Sequence, residues 1–235
     1  MSAPTYVLVP GAGGAASYWH LVQGLMHERS FDSIAVSLPG ADDTKGLPEY
    51  VDLVVEAAAP FDDVVIVAQS LGAFSGSWAA DRIGPRELVL VNSMIPTPGE
   101  TAGEWWEATG SGPARVANDL REDRDPDAGF DPEVYFLHDV PAEALAGLED
   151  PQDESDIVFA TPWAPSAWPD VPTRVIVGAD DRLFPAAFQR EVARRRLCLE
   201  VEVVPGGHLP ALSRPRELTD AILRTSTPAP GGAPT

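Results

Sequence analysis

The sequence is poor in positive charge: 16 Lys and Arg stand against 36 Asp and Glu, leaving a net charge of −20. Lys45 is the only lysine. Binding to phosphates needs a basic face, so this balance argues against nucleic acid or an anionic membrane surface as a partner. A lone cysteine, Cys198, excludes an internal disulfide and a cluster of thiolates around a metal. Its apolar neighbours Leu197 and Leu199 make it a buried structural thiol in expectation rather than a nucleophile. No apolar run approaches the roughly 18–20 residues that a bilayer requires. The opening Met1-Ser2-Ala3-Pro4 carries no basic residue and leads straight into a strand pattern, unlike a signal peptide. A cytoplasmic location is the resulting expectation.

What remains is an ordinary globular composition, 44% hydrophobic and 22% charged. The 235 residues suit one three-layer α/β domain and are too few for two. Short β-branched runs at 6–9, 33–37, 64–68, 87–91, 173–177 and 200–204 alternate with segments of helical period at 18–27, 47–58, 71–82, 186–195 and 217–223. The runs are continuously apolar, as in Val64-Val65-Ile66-Val67, which suits strands buried on both faces of a parallel sheet. An α/β fold of about six mostly parallel strands flanked by helices follows.

The rhythm breaks between Met94 and Pro172, where Pro, Gly, Asp and Glu are frequent and periodicity survives only at 101–109, 114–120 and 142–148. A stretch this long reads as a functional insertion, here a small helical lid after the fourth strand at about residues 95–170. Residues 1–224 are taken as one domain, and the Pro/Gly-rich 225–235 as a flexible tail.

The sharpest local signal is Ala68-Gln69-Ser70-Leu71-Gly72, in which an apolar strand ends and an amphipathic helix begins around one serine. A serine on such a turn is pushed out above the sheet edge, and its neighbours must be small because other backbone crosses nearby. The Leu71 N–H, at the helix start, stands where it can donate to a developing oxyanion. Of the four histidines, His20 and His27 lie on the first helical segment and His138 lies in the lid. His208 follows the last strand, in Gly206-Gly207-His208-Leu209-Pro210, and loops at the carboxyl ends of parallel strands share one crevice. A carboxylate to orient that histidine is offered by Asp180 or Asp181, both just past the fifth strand. The small residues of Pro10-Gly11-Ala12-Gly13-Gly14 let backbone N–H groups approach a substrate, with Ala12 as the second oxyanion donor.

These motifs, in this order, resemble the α/β-hydrolase superfamily, and within it the small esterases related to plant methylesterases and hydroxynitrile lyases. The resemblance covers about Thr5 to Leu223. Val7-Leu8-Val9-Pro10-Gly11-Ala12-Gly13 is similar to the family's oxyanion loop, with Pro10 where a histidine is common. Ala68-Gln69-Ser70-Leu71-Gly72 resembles its nucleophile elbow, with Ala68 in place of the usual glycine. Gly178-Ala179-Asp180-Asp181 resembles its acid loop, in which the acid stands three after the glycine; that implies Asp181. Asn92-Ser93-Met94 looks familial too, at the start of the lid. The leading strand pair of the family is absent. The resemblance implies Ser70 as nucleophile, His208 as base and Asp181 as its orienting acid. Together they would cleave a small-molecule ester, lactone or thioester without metal or organic cofactor. Trp105 and Trp106 are candidates for lining the substrate pocket. The residues do not specify an oligomeric state.

Three other readings are less favoured by the residues. Gly11-Ala12-Gly13-Gly14-Ala15-Ala16 fits a dinucleotide fingerprint, but Ser37-Leu38-Pro39 stands where an acid should hold the ribose of NAD(P). A lyase, decarboxylase or cyclase could use the same fold, although Leu209 occupies the place of the lysine that hydroxynitrile lyases carry. A receptor-like binding module is the third, disfavoured by an intact set of three reactive residues.

Overall fold

The computed structural model describes residues 3–146, 148 and 152–224. The proposed tail, 225–235, lies outside the described residues. Six strands form one all-parallel sheet in the order β2-β1-β3-β4-β5-β6. They are β1 (Thr5–Val9), β2 (Ser33–Ala35), β3 (Val64–Gln69), β4 (Glu87–Val91), β5 (Thr173–Gly178) and β6 (Val201–Val204). Side chains alternate between the two faces of the sheet. Val7, Val9, Ile66, Ala68, Leu88, Leu90, Val175 and Val177 enter one core, whereas Tyr6, Leu8, Val65, Val67, Val89, Val91 and Ile176 enter the other. Two cores, one per face, are why the strands read as unbroken apolar runs.

The helices follow in chain order. A 3-10 turn at Ala16–Trp19 leads into α1 (His20–Glu28); α2 is Leu47–Ala58 and α3 is Gly72–Ile83. Between β4 and β5 come α4 (Ala102–Thr109), α5 (Ser111–Arg121), α6 (Pro132–Tyr135), a 3-10 turn at Ala142–Leu145, and α7 (Asp156–Ala160). The last three are α8 (Ala186–Leu197), α9 (Pro210–Ser213) and α10 (Pro215–Leu223). Residues of α2, α3 and α8 fill the first core; Trp19, Val22, Met26, Leu218, Ala221 and Ile222 fill the second.

Local chemistry sets these boundaries. Glu49 reaches back to the Gly46 N–H at 2.8 Å and starts α2, while α4 opens with a reciprocal Thr101–Glu104 capping box. Gly84, at φ +63°, closes α3 in the left-handed conformation that glycine adopts without penalty. The β4–β5 connection is itself well tied. Buried Asp119 of α5 accepts from Tyr135 Oη at 2.9 Å and from Arg124 Nε at 2.8 Å. The buried Arg196 guanidinium of α8 grips Glu100, anchoring the start of the connection to that helix.

Some expectations need correction. Cys198 is not buried: it is exposed at the C-terminal cap of α8, with φ +57°. The apolar Leu197 and Leu199 pack inward and the turn between them points the thiol outward. The segment expected as one helix over 18–27 divides into the 3-10 turn and α1. The piece expected over 142–148 is a single 3-10 turn, with part of its span outside the described residues. Among the described residues, no helix is long and apolar enough to cross a membrane.

Candidate active site

The sheet order reverses between β1 and β3, so the loops leaving these adjacent strands diverge and open a crevice at the carboxyl rim. Ser70 stands there, one residue beyond β3. Its φ is +50°, a left-handed conformation that costs a non-glycine residue on the order of 1 kcal/mol or more. The turn is held from three sides: Ser70 N–H donates to Val91 O at 3.0 Å, and Ser70 O accepts from Met94 N at 3.0 Å and Ala73 N at 3.1 Å. A Cβ on Gly72 would lie 2.2 Å from Pro10 O, and one on Gly11 would lie 2.9 Å from Ser70 Cβ. The crowding expected around the serine is therefore real, and the loop 11–14 lies directly against it.

Ser70, His208 and Asp181 converge from the ends of β3, β6 and β5. His208 Nε2 is 3.1 Å from Ser70 Oγ, and His208 Nδ1 is 2.9 Å from Asp181 Oδ2. Asp181 also accepts Leu183 N–H and Phe184 N–H on Oδ1, each at 2.9 Å, and Gln189 Nε2 on Oδ2 at 3.0 Å. With the His208 ring, four donors thus surround one buried carboxyl and fix its orientation. With Asp181 Oδ2 accepting from Nδ1–H, the neutral imidazole presents Nε2 as acceptor for the serine hydroxyl. All three side chains are nearly out of solvent, at 8% exposure for Ser70 and 2% for His208 and Asp181. Asp180 points elsewhere: it is exposed and accepts Gly206 N–H at 3.3 Å. Of the two adjacent acids, the structure brings Asp181 to the histidine.

Leu71 is the residue before α3 and is buried; Ala12 is exposed, next to Gly11 on the loop that touches Ser70. Trp105 is fully buried, donates Nε1–H to Ile95 O at 3.0 Å and packs on Phe184 and Phe188. Trp106, 36% exposed, also packs on Phe184. The rings packed on His208 are Phe184, edge-on at 5.1 Å between centroids, and Phe136 at 5.2 Å. The aromatic contact on the imidazole thus belongs to a residue of the acid loop and one just past α6.

Sequence reasoning also missed the residues that hold the His208 loop. Asn92 is fully buried with φ +45°, a conformation asparagine tolerates. Its Oδ1 accepts Gly178 N–H at 2.7 Å, and its Nδ2 donates to Gly207 O at 2.9 Å and His208 O at 3.1 Å. Gln69 Nε2 donates to the same His208 carbonyl at 3.3 Å. Asp139 accepts Gly207 N–H at 2.8 Å, and the His138 ring sits where a side chain on Gly207 would have to go. Burial, reinforced by the Arg182 charge, lowers the His138 pKa. The signal that could have found Asn92 was its position immediately after β4, where a polar residue follows an apolar run at the rim.

Among the described residues, no group of three or more His, Cys, Asp or Glu could hold a metal ion. Residues 6–221 match the model of the Alpha/beta hydrolase family. The chain belongs to that family. As an alpha/beta hydrolase it is similar to the Alpha/beta hydrolase nvfD of Aspergillus novofumigatus, with 23% identity and 99% of each chain covered. Its fold is similar to that of a pyrethroid hydrolase from Sphingobium faniae JZ-2, with a TM-score of 0.73, 20% identity, and coverage of 94% of this chain and 96% of that one. Polyneuridine aldehyde esterase gives a TM-score of 0.74, 21% identity, and coverage of 94% and 98%. The methylesterase MES16 of Arabidopsis gives a TM-score of 0.70, 17% identity, and coverage of 94% and 98%. At these identities the likeness of solved structures speaks for the fold of this hydrolase.

Proposed function

We propose that this alpha/beta hydrolase is a serine hydrolase that cleaves a small-molecule carboxylic ester, lactone or thioester through an acyl-enzyme. The observation that carries the reading is the unbroken hydrogen-bonded line from Ser70 Oγ through the His208 imidazole to Asp181. Esterase and hydrolase names among its structural neighbours agree with the class of substrate.

Ser70 Oγ attacks the carbonyl carbon as His208 Nε2 takes its proton. Asp181 holds the imidazole in the tautomer that can accept and stabilises the cation that forms. The Ala12 and Leu71 N–H groups receive the oxyanion of the tetrahedral intermediate. The imidazolium then protonates the leaving oxygen or sulfur, and the acyl group remains on Ser70. Water, deprotonated by the same imidazole, attacks the acyl carbon; the acid departs and Ser70 regains its proton. In this reading the β4–β5 connection is a lid, because Phe136 covers the imidazole and the three reacting side chains are almost dry. The chemistry needs no cofactor.

The test is labelling with a fluorophosphonate probe alongside turnover of p-nitrophenyl esters. Wild type should label on Ser70 and turn over. Ser70→Ala should lose both, and His208→Ala should lose at least 10³-fold in turnover. Undiminished labelling of Ser70→Ala would mean that the nucleophile is another residue.

A further inference from the structure

The loop 11–14 consists of Gly11, Ala12, Gly13 and Gly14, so it has almost no side chains with which to hold itself. Gly13 and Gly14 both take positive φ, +83° and +68°, in a part of backbone space from which glycine can leave easily. Such a loop presents an N–H group at a fixed point only when other parts of the molecule hold it. Two of its contacts are backbone to backbone: Gly14 N–H on Gly11 O at 3.2 Å and Leu38 N–H on Gly14 O at 2.9 Å.

Further hold comes from the β4–β5 connection. Glu154 Oε2 accepts Gly13 N–H at 2.9 Å, across 141 residues of sequence. Glu154 Oε1 accepts the Tyr50 hydroxyl of α2 at 2.5 Å. The next residue is fixed as well, since Ser155 N–H donates to Gly40 O at 2.8 Å. Gln152 O lies so near Gly13 that a Cβ there would meet it at 2.8 Å, and a Cβ on Gly40 would meet the Gly13 backbone at 2.9 Å. Glu154 also lines a narrow crevice beside the elbow, with Gly11, Leu38, Tyr50, Leu71 and Val158. Burial holds its carboxyl above the usual carboxylate range, against the pull of the Tyr50, Gly13 and Ser155 donors. A carboxyl kept in a costly place by donors from three segments is a fixed point for whatever those donors belong to.

We propose that Glu154 is a positioning residue for the oxyanion loop: it fixes the peptide between Ala12 and Gly13 and so keeps the Ala12 N–H aimed at the reacting oxygen. This rests on the serine-hydrolase reading above. Glu154 does not touch substrate; it acts through Gly13, and it joins the arrival of the β4–β5 connection to completion of the oxyanion site. Loss of a donor from such a site costs about 10²–10³-fold in kcat, and a donor that is loosened rather than removed costs less, about 10-fold.

The experiment compares wild type, Glu154→Ala, Glu154→Gln and Tyr50→Phe by p-nitrophenyl acetate and butyrate turnover, by the rate of fluorophosphonate labelling at Ser70, and by thermal melting. Glu154→Ala should lower kcat and labelling rate about 10-fold with KM within about twofold. Glu154→Gln keeps an oxygen for Gly13 N–H and an amide N–H for the Tyr50 oxygen, so it should restore most of the rate. Tyr50→Phe should fall between them, and these last two variants carry the test if Glu154→Ala does not fold. Unchanged kcat in Glu154→Ala, a rise in KM alone, or a glutamine variant no better than alanine would overturn the proposal. An inert wild type would instead sink the hydrolase reading, and this one with it.

Discussion

Ala68 and Gly76 share a space that admits one methyl group: a Cβ on Gly76 would stand 2.7 Å from Ala68 Cβ. Ala68 is the last residue but one of β3, two before Ser70, and Gly76 lies one turn into α3, which packs across it. The glycine usual at position 68 in the family pattern is thus offset by one in the helix. Gly76→Ala should therefore destabilise by about 1–3 kcal/mol, because the strand backbone that carries Ala68 cannot withdraw. In an Ala68→Gly background the same substitution should instead stabilise by up to about 1 kcal/mol, the ordinary helix preference of alanine over glycine. Urea melts of the four proteins would show it, and additive effects would refute the shared space.

Asp181 and Asp180 differ in partners although they are neighbours in sequence. Asp181→Asn should lower kcat by up to about 10⁴-fold, since an amide can stabilise the wrong tautomer of His208 and cannot balance its cation. Asp180→Asn, which keeps an amide oxygen for the 3.3 Å contact with Gly206 N–H at an exposed site, should stay within a few-fold of wild type. Steady-state turnover of the two variants decides between them; equal losses would remove Asp181 from its proposed role.

Asn92 joins the end of β5 to the His208 loop through one amide group. Asn92→Ala should cost about 3 kcal/mol, because it strands a buried N–H and buried carbonyls together. Asn92→Asp keeps the shape and the acceptor for Gly178 N–H, yet turns an oxygen toward the Gly207 and His208 carbonyls. It should be destabilised as well, and its turnover should fall more than its melting temperature explains. Melts and kinetics on both variants test this.

The burial of Glu154 has a sign that can be measured. Its carboxyl is raised above the unfolded value, so the folded state binds the proton more tightly than the unfolded chain does. Its contribution is most favourable at acid pH and is lost as pH rises from the unfolded carboxyl range through the raised folded value. Glu154→Gln carries no such term. The melting temperature of the variant relative to wild type should therefore improve from pH 4 to pH 7; a difference that is flat or falls with pH would contradict the raised value.

Much of this molecule is legible in sequence because burial on both faces writes strands as apolar runs, and the strand ends at Gln69, Gly178 and Val204 then mark the rim. The helix 47–58 was readable because its apolar period is intact and Glu49 caps it. Helices α6, α7 and α9 were not, because four or five residues are too few to show a period. Phe184 stood in plain view beside Asp181, but nothing local says that its ring turns onto His208. Glu154 had no sequence signal whatever: its meaning comes from Gly13 and Tyr50, which lie far away along the chain. Cys198 misled because apolar neighbours describe the environment of Leu197 and Leu199, and a left-handed turn between them reverses the direction of the residue in the middle.

The His208 carbonyl is held by Gln69, next to Ser70, and by Asn92, at the start of the β4–β5 connection. The hydroxyl and the imidazole are thus bolted to a common frame, and neither can drift without breaking bonds that position the other. Heat inactivation and loss of tertiary structure should accordingly coincide, and amide exchange at 69–71 and 207–209 should report one shared opening. A population that remains folded but has mislaid its histidine has no place in such a construction.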